Sequence, residues 1–133
     1  MMTEEDLIKE LAKAWNNLNV SFIENLLIDD FRYASQWVVE EMKGKDNYIN
    51  FISTKFQKIR ESIAENGDKI IAEIGYCTQG FPNKPCIVLT QISGNEKSPA
   101  TLLIETDNGL IKRIDMCAIP APETAKLTGL IPM

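Results

Sequence analysis

Histidine is absent from the 133-residue chain, and this absence narrows the chemistry that the protein can perform. Histidine is the usual acid/base group at neutral pH and a common metal ligand. Any acid/base catalysis would therefore depend on a carboxylate, a tyrosine or a cysteine with a shifted pKa. A zinc or haem site has few possible ligands here, so we expect neither a metal nor another cofactor.

Cysteine is scarce as well. The three cysteines are Cys77, Cys86 and Cys117, and none of them forms a C-x-x-C pair. We therefore expect free thiols in a reducing compartment. A hairpin that is symmetric about "GFPNKP" would place Cys77 opposite Cys86, where a cross-strand disulfide is conceivable. Two small buried thiols are the favoured interpretation.

Long apolar runs and basic clusters are also missing. No apolar run approaches the roughly 20 residues that span a bilayer, and the start "MMTEEDLIKE" is acidic where a signal peptide would be basic. The 14 Lys and Arg residues against 19 Asp and Glu give a net charge of -5, without a run of basic residues for phosphate contacts. These features predict a cytoplasmic protein with neither a membrane nor a nucleic-acid partner.

The length and the 44% hydrophobic content suit one domain over residues 1–133, with a core from about 7 to 117 and a tail at 118–133. Thr3 followed by Asp6 predicts the start of a helix whose apolar face holds Leu7, Ile8, Leu11 and Trp15. Ser21 with Glu24 forms a second capping-box pattern. It predicts a short second helix that closes at Asp29 and Asp30.

The stretch "FRYASQWVVEEMKGKDNYINFI" changes character midway. Phe31 to Met42 has strand-type residues, with a turn near Gln36 left open, whereas a helical pattern runs from Tyr48 until "ENG" stops it. Four strands should follow as an antiparallel meander, at Ile70–Thr78, Cys86–Ser93, Thr101–Thr106 and Leu110–Cys117. The order predicts an α+β fold, with N-terminal helices and one long helix packed on a curved, mainly antiparallel sheet.

This order of elements resembles a known superfamily. "LLIDDFRYAS" leads through "MKGKDNYINFI" into the long helix, and "NGLIKRIDM" forms the last strand. The pattern resembles the NTF2-like superfamily of cystatin-like α+β cones, which includes SnoaL-like proteins. The resemblance covers about Leu7 to Cys117. It implies a sheet wrapped around a conical cavity, helices on its concave face, and homodimers that form through the sheets.

The resemblance leaves the activity open. The superfamily contains isomerases, cyclases, dehydratases and members that only bind or scaffold. Without histidine, the histidine-dependent dehydratases are poor guides, whereas isomerases that use a carboxylate and a tyrosine remain possible. The tail should not extend the last strand, because prolines break it. Residues Pro122 to Leu127 are expected to add a helical turn over a sheet edge or the pocket mouth.

The last strand carries the strongest catalytic candidate. Arg113 and Asp115 share one face by alternation, and a two-residue "NG" turn would set them opposite Ile104 and Leu102, among apolar side chains. SnoaL-like cyclases use a late-strand carboxylate as acid/base, and the resemblance points to Asp115. A solvated ion pair or a dimer contact is the competing interpretation.

Aromatic residues supply the other candidates. Tyr33, Ser35 and Trp37 alternate onto one face of the first strand. Tyr33 is the predicted acid or electrophile that acts with Asp115 as base, and Tyr48 is the alternative electrophile. Adjacent Glu40 and Glu41 should point to opposite faces, which removes them as a catalytic pair. The predicted ligand contacts are Arg113, Trp15, Trp37, Tyr48 and Tyr76. For the aromatic ones, core packing is the competing interpretation.

Three functions follow from these candidates. The leading hypothesis is a protein that binds a small, largely apolar ligand in the cone. The alternatives are a cofactor-independent lyase or isomerase that uses a carboxylate, and a non-catalytic dimeric scaffold.

Overall fold

The computed structural model describes all residues 1–133 and contains two α-helices and one seven-stranded sheet. The elements are α1 Glu4–Asn17, β1 Leu27–Ser35, β2 Met42–Lys43, α2 Lys45–Asn66, β3 Lys69–Tyr76, β4 Pro85–Ser93, β5 Glu96–Asp107, β6 Leu110–Cys117 and β7 Lys126–Leu127. The strand order is β2-β1-β6-β5-β4-β3-β7, and every pair is antiparallel except β1 with β6. The predicted α+β fold and the meander β3 to β6 are confirmed. Neither helix combines the length and apolar composition that crossing a bilayer requires.

Both helices begin and end where local chemistry favours it. The Thr3 hydroxyl accepts from the Asp6 amide at 3.1 Å, and the Asp6 carboxylate accepts from the Thr3 amide at 2.9 Å, so the predicted capping box is present. Gly44 precedes α2 with φ of 97°, a conformation that favours glycine at this switch. Arg60 of α2 donates to the carbonyl of Leu18 at 2.6 Å and thereby ties the end of α1 to α2.

The predicted second helix is wrong. Only a three-residue 3₁₀ turn forms, Val20–Phe22, and the Asn19 side chain caps it by accepting from the Ser21 amide at 2.9 Å. The following residues join the sheet, because the carbonyl of Leu26 accepts from the Ile111 amide at 2.7 Å and β1 starts at Leu27. Pairing with a distant strand overrides the local helical signal.

One large core lies between the helices and the sheet. Trp15 of α1 packs edge-on against Phe56 of α2 at 5.0 Å between ring centroids, and Phe31 of β1 lies 4.8 Å from Tyr48. All four side chains are buried. These aromatic rings fill much of the space that an empty cone would leave open.

The tail covers the free edge of the sheet, one of the two positions expected for it, but Lys126 and Leu127 pair as a strand where a helical turn was expected. A 3₁₀ turn, Pro122–Thr124, leads into β7, which pairs with β3. Farther on, the amide and carbonyl of Ile74 pair with Leu130 and Thr128, and the Asn16 side chain bonds both Ala72 and the carbonyl of Pro132. An uncovered edge strand invites pairing with other chains, so this tail protects β3.

The three cysteines and Leu103 form a small second core on the sheet face opposite the helices. Ala125 of the tail packs against this second core. All three thiols are free. The expected position of Cys77 opposite Cys86 is wrong, because the register differs by two residues and Gly75 opposes Cys86. The favoured interpretation, two small buried thiols, is confirmed. Burial raises the pKa of Cys86 to about 12 and that of Cys117 to about 11, so these thiols are poor nucleophiles.

Candidate functional site

A pocket of about 350 Å³ opens between α2, the ends of β1 and β6, and the loop at 36–41. This volume lies at the small end of the range for ligand sites in proteins. Nine residues line the pocket, and six of them are hydrophobic: Tyr33, Ser35, Trp37, Val38, Glu40, Met42, Phe51, Lys55 and Met116.

Strand and helix geometry bring these residues together. Tyr33 and Ser35 alternate onto the helix-facing side of β1, and the parallel register sets Ser35 beside Met116 of β6. Phe51 and Lys55 are one turn apart on α2 and therefore lie on the same side of that helix. The pocket thus forms where the sheet extends beyond the aromatic core.

Tyr33 provides a neutral hydrogen-bond donor in the pocket wall. Its side chain is 8% exposed, and its hydroxyl lies 3.9 Å from the Met116 sulfur, a weak acceptor. Burial raises the pKa of Tyr33, a hydrogen bond with the Ser35 side chain acts to lower it, and the nearby charge of Asp115 acts to raise it. Tyr48 packs behind it at 5.2 Å between ring centroids, and burial raises the pKa of Tyr48 as well. Both phenols stay protonated at neutral pH.

The predicted surroundings of Arg113 and Asp115 are wrong. A bulge between Glu105 and Thr106 shifts the pairing by one residue, so Asp115 opposes Leu103 and Arg113 opposes Glu105. A shift of one residue turns a side chain to the other face of the sheet. Asp115 therefore lies on the outer face, away from the helices, and the structure does not bring it together with Tyr33.

On the outer face, Arg113 and Asp115 belong to an ion-pair network. The Arg113 Nε donates to both carboxylate oxygens of Asp115, at 2.9 and 3.1 Å, and its Nη1 lies 3.0 Å from Glu41. Glu41 also pairs with Arg32 at 3.3 Å. Hydrogen bonding to Asp115 raises the pKa of Arg113 above its ordinary value. The network joins the loop to β1 and β6, a structural role.

Glu41 should make stability depend on pH. The hydrogen bond from Arg113 holds the pKa of Glu41 below its ordinary 4.5, so its stabilising effect is fully present above that pH and is lost as the pH falls through the folded-state pKa. We expect the melting temperature of Glu41→Gln to fall less steeply on acidification than that of the wild type. Circular dichroism melts across the acid range would measure this.

Glu40→Gln is the matched control for that measurement. Glu40 lines the pocket and forms no ion pair, whereas its neighbour Glu41 belongs to the ion-pair network. Both glutamates lie in the loop between β1 and β2, so the strand alternation expected for them is wrong. Its replacement should leave the acid slope of the wild type unchanged. Equal slopes in all three proteins would contradict a role for Glu41.

The aromatic residues that were predicted to contact a ligand lie in different parts of the molecule. Trp37 lines the pocket beside Tyr33, whereas Trp15 and Tyr48 are core residues at 2% and 1% exposure. Tyr76 lies on a different surface, and its hydroxyl donates to Glu5 at 3.1 Å. Sequence reasoning did not propose the other lining residues, including Lys55, as contacts. The i to i+4 spacing of Phe51 and Lys55 is the sequence feature that indicates a shared side of α2.

The comparisons with known proteins concern the fold. An NTF2-like protein of unknown function from Cytophaga hutchinsonii superposes with a TM-score of 0.58 and 17% identity, covering 90% of this chain and 95% of that one. A protein from Kribbella flavida, provisionally named a ketosteroid isomerase, superposes with a TM-score of 0.57 and 16% identity. The match covers 87% of this chain and 79% of that one. A Pseudomonas putida protein, provisionally named a polyketide cyclase, superposes with a TM-score of 0.59 and 14% identity. The match covers 96% of this chain and 100% of that one.

No protein-family profile matches this sequence, and no curated protein matches it. At these low identities the likeness concerns backbone architecture, and it agrees with the strand order and the helices described above. The chain has an NTF2-like fold.

Proposed function

We propose that the protein binds a small, largely apolar ligand in the pocket between α2 and the sheet. The observation that carries this proposal is an apolar pocket whose wall contains the Tyr33 hydroxyl, with the weakly accepting Met116 sulfur and the Ser35 side chain as its hydrogen-bonding neighbours. An apolar ligand with one acceptor atom would satisfy that hydroxyl while burying its carbon skeleton.

The distribution of carboxylates favours binding over acid/base catalysis. Asp115 is engaged by Arg113 on the outer face, and Glu40, on the exposed loop, is the carboxylate that lines the pocket. The alternative, a lyase or isomerase like those for which some fold neighbours are named, would need Glu40 as base and Tyr33 as acid. A catalytic role for Asp115 would place the chemistry in a different groove, on the outer face, which Asp115 lines together with Leu103 and Cys117.

We further propose a cytoplasmic homodimer that forms through the outer sheet face. Next to the tail, this face carries a second groove, and two apolar side chains beside it, Phe81 and Ile119, are 57% and 77% exposed. Exposed apolar side chains of this size mark surfaces that a second copy can cover. A purely scaffolding protein would use the same face and leave the pocket unoccupied.

Native mass spectrometry with added decanol tests these proposals together, because it reports subunit number and bound small molecules. We expect a dimer that takes up one decanol per subunit. Decanol at about a hundred times its Kd should stabilise the fold by about 2.7 kcal/mol and raise the melting temperature on the order of 10 °C. A protein that binds no decanol would contradict the pocket proposal, and a monomer would contradict the dimer.

A further inference from the structure

We infer that the ligand of this pocket carries an anionic group, such as a carboxylate, that pairs with Lys55. The inference rests on the proposed function and specifies the chemical class of the ligand. It would make the ligand an amphipathic acid, with its carbon skeleton among the apolar side chains and its charged group at the pocket mouth on the α2 side.

Lys55 lies where an apolar space meets a polar one. It lines the pocket together with Phe51, and both residues also line an adjoining open groove on α2 with Asn50, Thr54 and Lys58. The Lys55 ammonium lies 6.0 Å from the centre of the Phe51 ring. A ligand that fills the apolar pocket and ends at this boundary would place its terminal group beside two lysines and two neutral polar side chains.

Lys55 has no anionic protein partner, and the face of the Phe51 ring, 6.0 Å away, is what the structure sets against its charge. The ion pairs of the structure involve Arg32, Arg113, Lys13 and Lys84, and no hydrogen bond of the Lys55 ammonium is present. The side chain is partly buried, and burial lowers the pKa of Lys55. An ammonium that loses hydration without gaining a counter-ion is unfavourable, so an anion at this position would be stabilised.

The aromatic side chains of the pocket wall would favour a cationic ligand, whereas the positive charge of Lys55 disfavours one. Tyr33, Trp37 and Phe51 offer ring faces that attract organic cations in other proteins. A cation near Phe51 would lie close to the Lys55 ammonium and be repelled by it. Glu40, on the exposed loop, is the one acidic group lining the pocket, and it forms no ion pair with Lys55. The charge arrangement around Phe51 therefore selects an anion.

The test uses three probes with the same ten-carbon chain and different head groups: decanoate, decanol and decyltrimethylammonium. Isothermal titration calorimetry at neutral pH would measure each Kd for the full-length protein. We expect decanoate to bind about tenfold tighter than decanol, because a partly desolvated charged hydrogen bond forms only with the acid. Decyltrimethylammonium should bind more weakly than decanol.

Variants assign the effect to Lys55. Lys55→Met should lose the preference for decanoate over decanol, while Lys55→Arg should retain the preference. Lys97→Met is the charge-matched control, since Lys97 is exposed on β5 and does not line the pocket. That variant should bind all three probes as the wild type does.

The outcomes distinguish this inference from the proposed function. Equal affinity for decanoate and decanol, tightest binding of decyltrimethylammonium, or an unchanged preference in Lys55→Met would each overturn the inference while the apolar pocket proposal stands. Failure of all three probes to bind would overturn the proposed function and the inference with it.

Discussion

Replacing Trp15 with alanine should lower the free energy of unfolding by about 3–5 kcal/mol, the usual cost of truncating a buried tryptophan. Trp15 is 2% exposed and packs edge-on against Phe56. Its removal would leave a cavity between α1 and α2 that the tightly packed neighbours fill only in part. Urea unfolding followed by circular dichroism would measure the loss.

The same position separates core packing from ligand contact. Trp15→Phe keeps an aromatic ring next to Phe56 and should cost much less stability than Trp15→Ala. Because Trp15 does not line the pocket, we expect Trp15→Phe to bind decanol with the wild-type affinity. A large loss of decanol affinity in this stable variant would instead support the sequence prediction that Trp15 contacts the ligand.

Replacing Ser35 with phenylalanine should abolish most ligand binding by filling the pocket. Ser35 is the last residue of β1 and lines the pocket wall. A phenyl ring there would exclude about four methylene groups of the ligand, each worth about 0.8 kcal/mol. The Kd for decanol should therefore rise about a hundredfold by calorimetry.

Ser35→Ala is the matched control for this prediction. It removes the hydroxyl that accepts from the Trp37 amide at 3.3 Å but leaves the pocket open, so the affinity for decanol should stay close to that of the wild type. If Ser35→Phe is folded by circular dichroism and still binds decanol normally, the ligand site lies elsewhere in the molecule.

The fold was largely predictable because its signals are local. The capping box at Thr3, the glycine at 44 and the "ENG" stop each satisfy backbone groups within a few residues. The predicted second helix is wrong because its residues pair with a strand that is distant in the sequence, and a local pattern carries no information about that pairing. Leu26 and Leu27 meet β6, more than eighty residues away along the chain, and that pairing determines their conformation.

The site was predictable only in part. Tyr33 follows from simple alternation along β1, whereas β1 ends at Ser35 and Trp37 reaches the pocket wall from the loop that follows, where a continuing strand was expected. Asp115 was assigned to the wrong side because one bulge at Glu105 and Thr106 exchanges the two faces of the last strand pair. The significance of Lys55 depends on the absence of an anionic partner and on its place at the pocket wall, and both follow only from the tertiary structure.

The sequence by itself determined the α+β class, the two long helices, the antiparallel meander from β3 to β6, and the lack of histidine chemistry. These depend on composition, periodicity and capping, all of which act over short distances. Tertiary structure decided which face each strand residue occupies, which aromatic rings fill the cone and which line the pocket that remains. Those outcomes depend on strand register and packing volume. A shift of one residue in register moves every side chain of a strand to the opposite face of the sheet.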